Sequence, residues 1–344
     1  MTSLRLTRRG SLLRPLLITS CWQKLVGYSG DHPAFAWSKT YSSKADWRDL
    51  RPMILKRIKE REKYYPISEF VPVAQEVFNS RMQLFEGVSK LIQVIPVLAC
   101  KVCSEVYIGE AGHLIQTCQG YRRRSKNRVH EWVPGSLKDI IVPVETYHLK
   151  SMFQEVIRHD QRFDFNRVPA VVELCWQAGA DVRESRKFVS KVDSETIPGG
   201  VDSSKSLSRQ ELMLIANNTI KAWQTVRRGV RKLLMVYPAR VCSHCKEVHV
   251  GPSGHKARLC GVFKYETWRG SHFWRKAKVD DLVPQQIVWR RRSQDPLVLL
   301  NEGKGFYGHA PAIVDLCSKA GASVPREYNI MMKECGLTAV VTES

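Results

Sequence analysis

Two sets of cysteine and histidine residues repeat one spacing, C-x2-C-x9-H-x4-C. Their members are Cys100, Cys103, His113 and Cys118 in the first set, and Cys242, Cys245, His255 and Cys260 in the second. Thiolate sulfur and imidazole nitrogen are the ligands of structural zinc sites, which are tetrahedral and closed. The sequence therefore predicts two Zn²⁺ ions, one per set, each with four protein ligands and no open position for catalysis.

A further histidine follows each set at the same distance, His130 in the first and His272 in the second. Each could be an extra ligand, a general base or a buried hydrogen-bonded core residue, and we favour the core residue. As bases, the pair would suit a metal-dependent nuclease. That activity requires converging acids for Mg²⁺, and the repeated acids are sparse. They are Glu105 with Glu247 and Asp139 with Asp281.

The duplication extends well beyond the ligands. Subtracting 142 from the second set returns the first, and the correspondence covers roughly residues 68–181 and 210–323. Each unit is predicted to open with a helix, to carry the metal residues beside short strands such as 106–108 and 248–250, and to close with a helix that begins after proline and ends at glycine. The fold class is therefore predicted as α+β and mainly helical, with two tandem zinc-stabilised repeat domains.

The segments outside the two units differ in composition. Residues 1–43 are rich in arginine and contain few acids, which is typical of an organellar transit peptide; a basic arm that binds nucleic acid is the alternative. Residues 44–67 are predicted as a basic helical segment with its helix at 47–61. Residues 182–209, rich in serine, lysine and glycine, are predicted as a linker, and residues 324–344 as a C-terminal tail.

The charge of the chain indicates a polyanionic partner. Lysine and arginine number 54 against 33 acids, a formal net charge of +21. Nucleic acid fits this excess better than an anionic membrane, and no apolar run is long enough to span a bilayer. Six of the ten cysteines fall into the two ligand sets, which favours metal binding in a reducing compartment over a disulfide scaffold.

Basic and aromatic residues follow each ligand set. Such residues track phosphates and stack unpaired bases, so they suit single-stranded or irregular RNA better than a regular duplex. The candidate RNA-binding residues are Tyr121, Arg122, Arg123, Arg124, Lys126 and Arg128 in the first unit, and Lys264, Tyr265, Trp268, Arg269, Arg275, Lys276, Lys278, Arg290, Arg291 and Arg292 in the second. Trp132 and Trp274 are predicted to be core residues.

The combination of motifs resembles the plant APO family. It comprises the two C-x2-C-x9-H-x4-C motifs, the basic runs, the His-x-Trp at 130–132 and 272–274, and the Pro-Ala…Cys…Ala-Gly-Ala helices. The resemblance implies a non-enzymatic organellar RNA-binding protein that acts in the splicing of group II introns, in mitochondria or alternatively in chloroplasts. It implies zinc at the eight ligand positions, and partners that include intron RNA and other splicing factors. An adaptor that joins a ribonucleoprotein without binding RNA is a further alternative.

Overall fold

Two long helices, one from each repeat, form the centre of the fold. The computed structural model describes residues 47–119, 128–182, 207–261 and 270–333, with the exception of Glu155. Helix α2 of the first repeat spans Val71–Ile92, and helix α5 of the second spans Arg209–Val236. Proline in the first turn favours the start of α2. At the start of α5, Ser208 Oγ accepts a hydrogen bond from Glu211 N, and Ser208 N donates to the Glu211 carboxylate.

The two central helices cross at paired glycines. A Cβ atom added to Gly87 would lie 2.0 Å from Thr219 Oγ1, and one added to Gly229 would lie 2.1 Å from Val77 Cγ2. These four positions correspond under the offset of 142, so each repeat presents a glycine to the same position of the other. The crossing therefore has approximate two-fold symmetry, and glycine is required there because a side chain would separate the helices.

A three-stranded antiparallel sheet follows each central helix. The first sheet has the order β2-β1-β3 and the second the order β7-β6-β8. Their strands are β1 Val97–Cys100, β2 Val106–Ile108, β3 Trp132–Pro134, β6 Ala239–Cys242, β7 Val248–Val250 and β8 Trp274–Lys276. The predicted strands at 106–108 and 248–250 are thus confirmed.

Each repeat then forms a two-stranded hairpin that leads into its closing helix. The hairpins pair β4 Glu145–Tyr147 with β5 Arg167–Pro169, and β9 Ile287–Arg290 with β10 Gly308–Pro311. The closing helices are α4 Ala170–Gln177 and α7 Ala312–Lys319. Each begins after proline and is followed by a glycine of positive φ, as predicted. Shorter helices are α3 Leu137–Ile140, α6 Val279–Leu282 and α8 Asn329–Met332, and α1 covers Trp47–Glu62, where the basic helix was predicted.

The hairpin of each repeat packs against the three-stranded sheet of the other repeat. Leu114 N donates to Leu299 O at 2.9 Å, and the equivalent Lys256 N donates to Ile157 O at 2.7 Å. Thr146 Oγ1 of β4 also donates to the backbone carbonyl of β7, at 3.0 Å. The described residues from Arg51 onward accordingly form one compact unit. The predicted domain boundaries remain a prediction, but the two repeats are not separate bodies.

One apolar core is shared by the two repeats. Its fully buried members include Val77, Leu91, Val230 and Leu316, so both central helices and the closing helices contribute to it. The described part of the tail also contacts this core, through the buried Met332. The α+β, mainly helical fold class is thereby confirmed. Among the described helices, none combines the length and apolar character that a bilayer crossing requires.

Candidate metal centres and nucleic-acid interface

The three cysteines of each set lie together at one end of a three-stranded sheet. Cys100 ends β1, Cys103 lies in the turn that follows, and Cys118 is buried beside them. The Sγ atoms of Cys100 and Cys118 are 3.9 Å apart, and Val102 N donates to Cys100 Sγ at 3.4 Å. The backbone therefore brings the Cys100 and Cys118 thiols close together and supplies an N–H donor that stabilises a thiolate at Cys100.

The fourth side chain in each cluster is His130 or His272. Cys103 Sγ lies 3.5 Å from His130 Nδ1, and Cys245 Sγ lies 3.3 Å from His272 Nδ1. In each repeat the ligand atoms of the three cysteines and this histidine all lie within 4.8 Å of one another. The structure thus brings together six of the eight predicted ligands, with His130 and His272 in the places predicted for His113 and His255. His130 is also buried and hydrogen-bonded, as we expected of a core residue, because it is 6% exposed and its Nε2 lies 3.0 Å from Thr117 Oγ1.

His113 and His255 are held by other contacts. His113 is fully buried, its Nδ1 accepts a hydrogen bond from Ile115 N at 3.2 Å, and its Nε2 lies 3.1 Å from Glu105 Oε1. His255 Nδ1 accepts from Ala257 N in the same way, at 3.2 Å. The contacts of these ring nitrogens are thus with backbone N–H groups and, for His113, with a carboxylate, and neither histidine joins a three-cysteine cluster among the described residues. The His-x-Trp motif explains the position of His130: Trp132 pairs with Cys100 across β1 and β3, which brings His130 to the cysteines.

The donor set fits a tetrahedral zinc ion. Zinc lies about 2.3 Å from sulfur and about 2.0–2.1 Å from imidazole nitrogen, so tetrahedral angles place two sulfurs about 3.8 Å apart and sulfur about 3.6 Å from nitrogen. The observed separations of 3.9 Å, 3.5 Å and 3.3 Å are close to these values. Three thiols and one imidazole are also the ligand types that zinc prefers in structural sites.

In the absence of metal, the thiols of one cluster differ in acidity. Burial acts to raise the pKa of Cys100, but the N–H groups of Val102 and Cys103, with His130, lower it to about 6. Burial raises the pKa of Cys103 to about 12. In the second cluster the pKa of Cys242 is likewise lowered, and burial raises that of Cys245 to about 12. A metal must therefore displace protons from the more basic thiols when it binds.

The first run of candidate RNA-binding residues lies between two candidate ligands, Cys118 and His130. We call residues 119–129 the first basic segment and residues 261–271, between Cys260 and His272, the second basic segment. Cys118 N bonds to Arg128 O at 3.4 Å, and Cys260 N bonds to Gly270 O at 2.9 Å. Each basic segment therefore begins and ends at the same candidate metal site.

The predicted RNA-binding residues differ in their placement. Most residues of the two basic segments lie outside the described part of the chain, namely Tyr121, Arg122, Arg123, Arg124, Lys126, Lys264, Tyr265, Trp268 and Arg269. Arg128, Arg275, Lys276 and Lys278 are exposed. Arg275 also forms two hydrogen bonds with Asp281, at 2.7 and 2.9 Å.

The side chains of the run Arg290 to Arg292 bond to other parts of the fold, and Arg292 is buried while Arg290 and Arg291 are half-buried. Arg292 is 5% exposed, and its guanidinium makes two hydrogen bonds to Asp295, at 2.8 and 3.0 Å. Arg290 donates to Ser318 Oγ at 2.7 Å and lies 3.4 Å from the buried Asp315, while Arg291 Nε donates to Pro296 O. Arg290 and Arg292 thus pair with buried carboxylates, and these contacts are structural.

The exposed face of α5 carries cations that the sequence analysis did not include. Lys221, Arg228, Arg231 and Lys232 are all exposed along this helix. Their spacing of three, four and seven places them on one side, opposite the buried stripe. That periodicity is the signal in the sequence that points to this face.

Comparisons with known proteins identify the family of this chain. The family described as APO RNA-binding matches residues 38–199 and 200–334. From Arabidopsis thaliana, "APO protein 2, chloroplastic" is 37% identical over 81% of this chain and 70% of its own length, and "APO protein 3, mitochondrial" is 37% identical over 78% and 73%. "APO protein 1, chloroplastic" is 34% identical over 78% and 69%. No solved structure matches. With relatives in both organelles and two matched segments that span nearly the whole chain, the protein belongs to the APO RNA-binding family.

Proposed function

We propose that this protein is a zinc-containing RNA-binding factor that promotes the splicing of group II introns in a plant organelle. The observation that carries the proposal is the position of the ligands, because each Cys3His cluster closes one basic segment at both ends. The matched family is described as RNA-binding, and the net charge of +21 suits a phosphate backbone. The leader composition favours the mitochondrion, with the chloroplast as the alternative.

The residues of each cluster would act as a structural support rather than as a reaction centre. Bound zinc would supply a closed tetrahedral centre that fixes the ends of the segment and leaves no position for substrate. The cysteines and the histidine at both ends would hold the basic and aromatic side chains between them at a fixed spacing. Such preorganisation lowers the entropy lost when RNA binds.

Exposed cations outside the basic segments support a broad phosphate contact. Lys276 and Lys278 follow the second cluster on and after strand β8, and Arg228 and Lys232 lie on the exposed face of α5. Contacts with several phosphates make affinity fall steeply as salt rises. We expect these side chains to contribute charge, and the aromatic residues of the basic segments to contribute base stacking.

The geometry provides little support for the nuclease alternative. His130 is 6% exposed, its Nδ1 faces Cys103, and its Nε2 contacts Thr117 and Glu105. Asp139 and Asp281 bond to backbone N–H groups at the starts of the short helices α3 and α6. In the described part of the chain, these acids do not converge with His130 on an open site.

Titration of group II intron RNA by fluorescence anisotropy tests the RNA-binding proposal. Replacing Arg122, Arg123 and Arg124 together with alanine should weaken binding by at least about tenfold and reduce the salt slope by roughly two to three, because phosphate contacts are lost. The matched control replaces Lys56, Arg57 and Lys59 with alanine. These residues are exposed on α1, and their replacement removes the same three positive charges. Equal losses in the two triple variants would contradict a specific role for the first basic segment. A chain that binds no RNA but co-purifies with splicing proteins would indicate an adaptor instead.

A further inference from the structure

The two Cys3His clusters differ on the side of the histidine that faces away from the thiols. In the first cluster, His130 Nε2 lies 3.0 Å from Thr117 Oγ1 and 3.4 Å from Glu105 Oε2. Thr117 Oγ1 is itself 2.9 Å from Glu105 Oε2. The ring therefore has one nitrogen at the candidate metal position and the other in a polar network that ends in a carboxylate.

The second cluster lacks this network. His272 Nε2 is buried and has no hydrogen-bond partner within the described structure. The residue equivalent to Thr117 is Leu259, which cannot form the hydrogen bond. The backbone is the same at both positions, because Thr117 N bonds to Ile115 O and Leu259 N bonds to Ala257 O, each at 3.0 Å. The difference thus comes from one side chain and not from the path of the chain.

The carboxylate behind each histidine also has a different partner. Glu105 Oε1 accepts a hydrogen bond from Trp289 Nε1, an uncharged donor, at 2.8 Å. Its counterpart Glu247 forms an ion pair with Arg167, at 2.5 Å. A guanidinium neutralises the carboxylate charge, whereas an indole leaves it in place. Glu105 can therefore polarise the imidazole of its cluster more strongly than Glu247 can.

Such outer contacts control how firmly a metal is held. A metal-bound histidine usually donates its other ring N–H to a carboxylate, carbonyl or water, which fixes the ring and raises its basicity, and loss of that partner typically costs about 10–100-fold in metal affinity. We infer that Thr117 and Leu259 are positioning residues that make the two metal sites unequal, so that the first site retains its ion and the second site releases its ion first. This inference rests on the proposed binding of metal at the Cys3His clusters.

The order in which the two sites release zinc can be measured from the rate at which their cysteines are alkylated. The full chain loaded with Zn²⁺ is mixed with EDTA and N-ethylmaleimide, and alkylation of each cysteine is followed by peptide mass spectrometry. We expect Cys242, Cys245 and Cys260 to be alkylated at least about tenfold faster than Cys100, Cys103 and Cys118. Metal-free protein treated in parallel corrects for differences in the intrinsic reactivity of the thiols.

Exchange of the two side chains provides the matched variants. Leu259→Thr should slow release from the second site toward the rate of the first, and Thr117→Val should speed release from the first site, while Thr117→Ser should retain the wild-type rate because it keeps the hydroxyl. Leu259 is 42% exposed, so its replacement opens no cavity in the core. Equal release rates with two ions bound, or no change in Leu259→Thr, would overturn the inequality of the sites. A chain that binds no zinc at all would overturn the metal sites themselves.

Discussion

At the scale of single residues, the two repeats place different chemistry at equivalent positions. Tyr107 of the first repeat corresponds to His249 of the second, and both are buried. Burial, with the nearby His255, lowers the pKa of His249 to about 3. The histidine therefore stays neutral inside the fold at a pH where the unfolded chain binds a proton.

This burial predicts a loss of stability in acid. Between pH 6.5 and about 3 the unfolded state binds one more proton at His249 than the folded state does, so the free energy of unfolding falls as pH falls through this window. His249→Tyr, which installs the residue of the other repeat, should reduce that slope by up to about 1.4 kcal/mol per pH unit. Urea denaturation at a series of pH values, with zinc in excess, measures both slopes. Identical slopes in the wild type and the variant would contradict the prediction.

At the scale of elements, the crossing of α2 and α5 depends on the two glycines. Alanine normally stabilises an exposed helix interior by about 1 kcal/mol relative to glycine. At Gly87, however, the added Cβ would lie 2.0 Å from Thr219 Oγ1, so we expect Gly87→Ala to destabilise the fold by about 1–3 kcal/mol instead. The double variant Gly87→Ala/Thr219→Ala should recover part of this loss because it removes the clashing hydroxyl. Chemical denaturation decides the sign, and a more stable Gly87→Ala protein would refute the close crossing.

The elements themselves were largely predictable from the sequence, because local patterns determine them. The proline and glycine at the ends of α4 and the apolar spacing along α2 are examples. The position of His130 beside the cysteines was not predictable in the same way, since it depends on the pairing of β1 with β3, which joins residues distant in sequence. Likewise, the basic run at 290–292 was interpreted as a surface because its partners Asp295 and Asp315 become evident only when the chain is folded.

At the scale of the whole molecule, the hairpin of each repeat packs against the sheet of the other repeat, and the two repeats share one core. The duplication is evident in the sequence, but it does not say which copies pack together. An offset of 142 would be the same whether a hairpin packs on the sheet of its own repeat or on that of the other repeat. Contacts such as Trp289 with Glu105 and Arg167 with Glu247 resolve this ambiguity. They also place residues of each repeat behind the Cys3His cluster of the other, so that both basic segments are attached to a single body.

The central claim is that His130 and His272 complete the metal sites that close the basic segments. Native mass spectrometry of the intact zinc-loaded chain tests it by counting ions. The account predicts that His130→Ala/His272→Ala binds fewer than two zinc ions, because each cluster loses its imidazole. It also predicts that His113→Asn/His255→Asn, which keeps an acceptor for the N–H groups of Ile115 and Ala257, still binds two. The account would be contradicted if His113→Asn/His255→Asn lost zinc while His130→Ala/His272→Ala retained two ions.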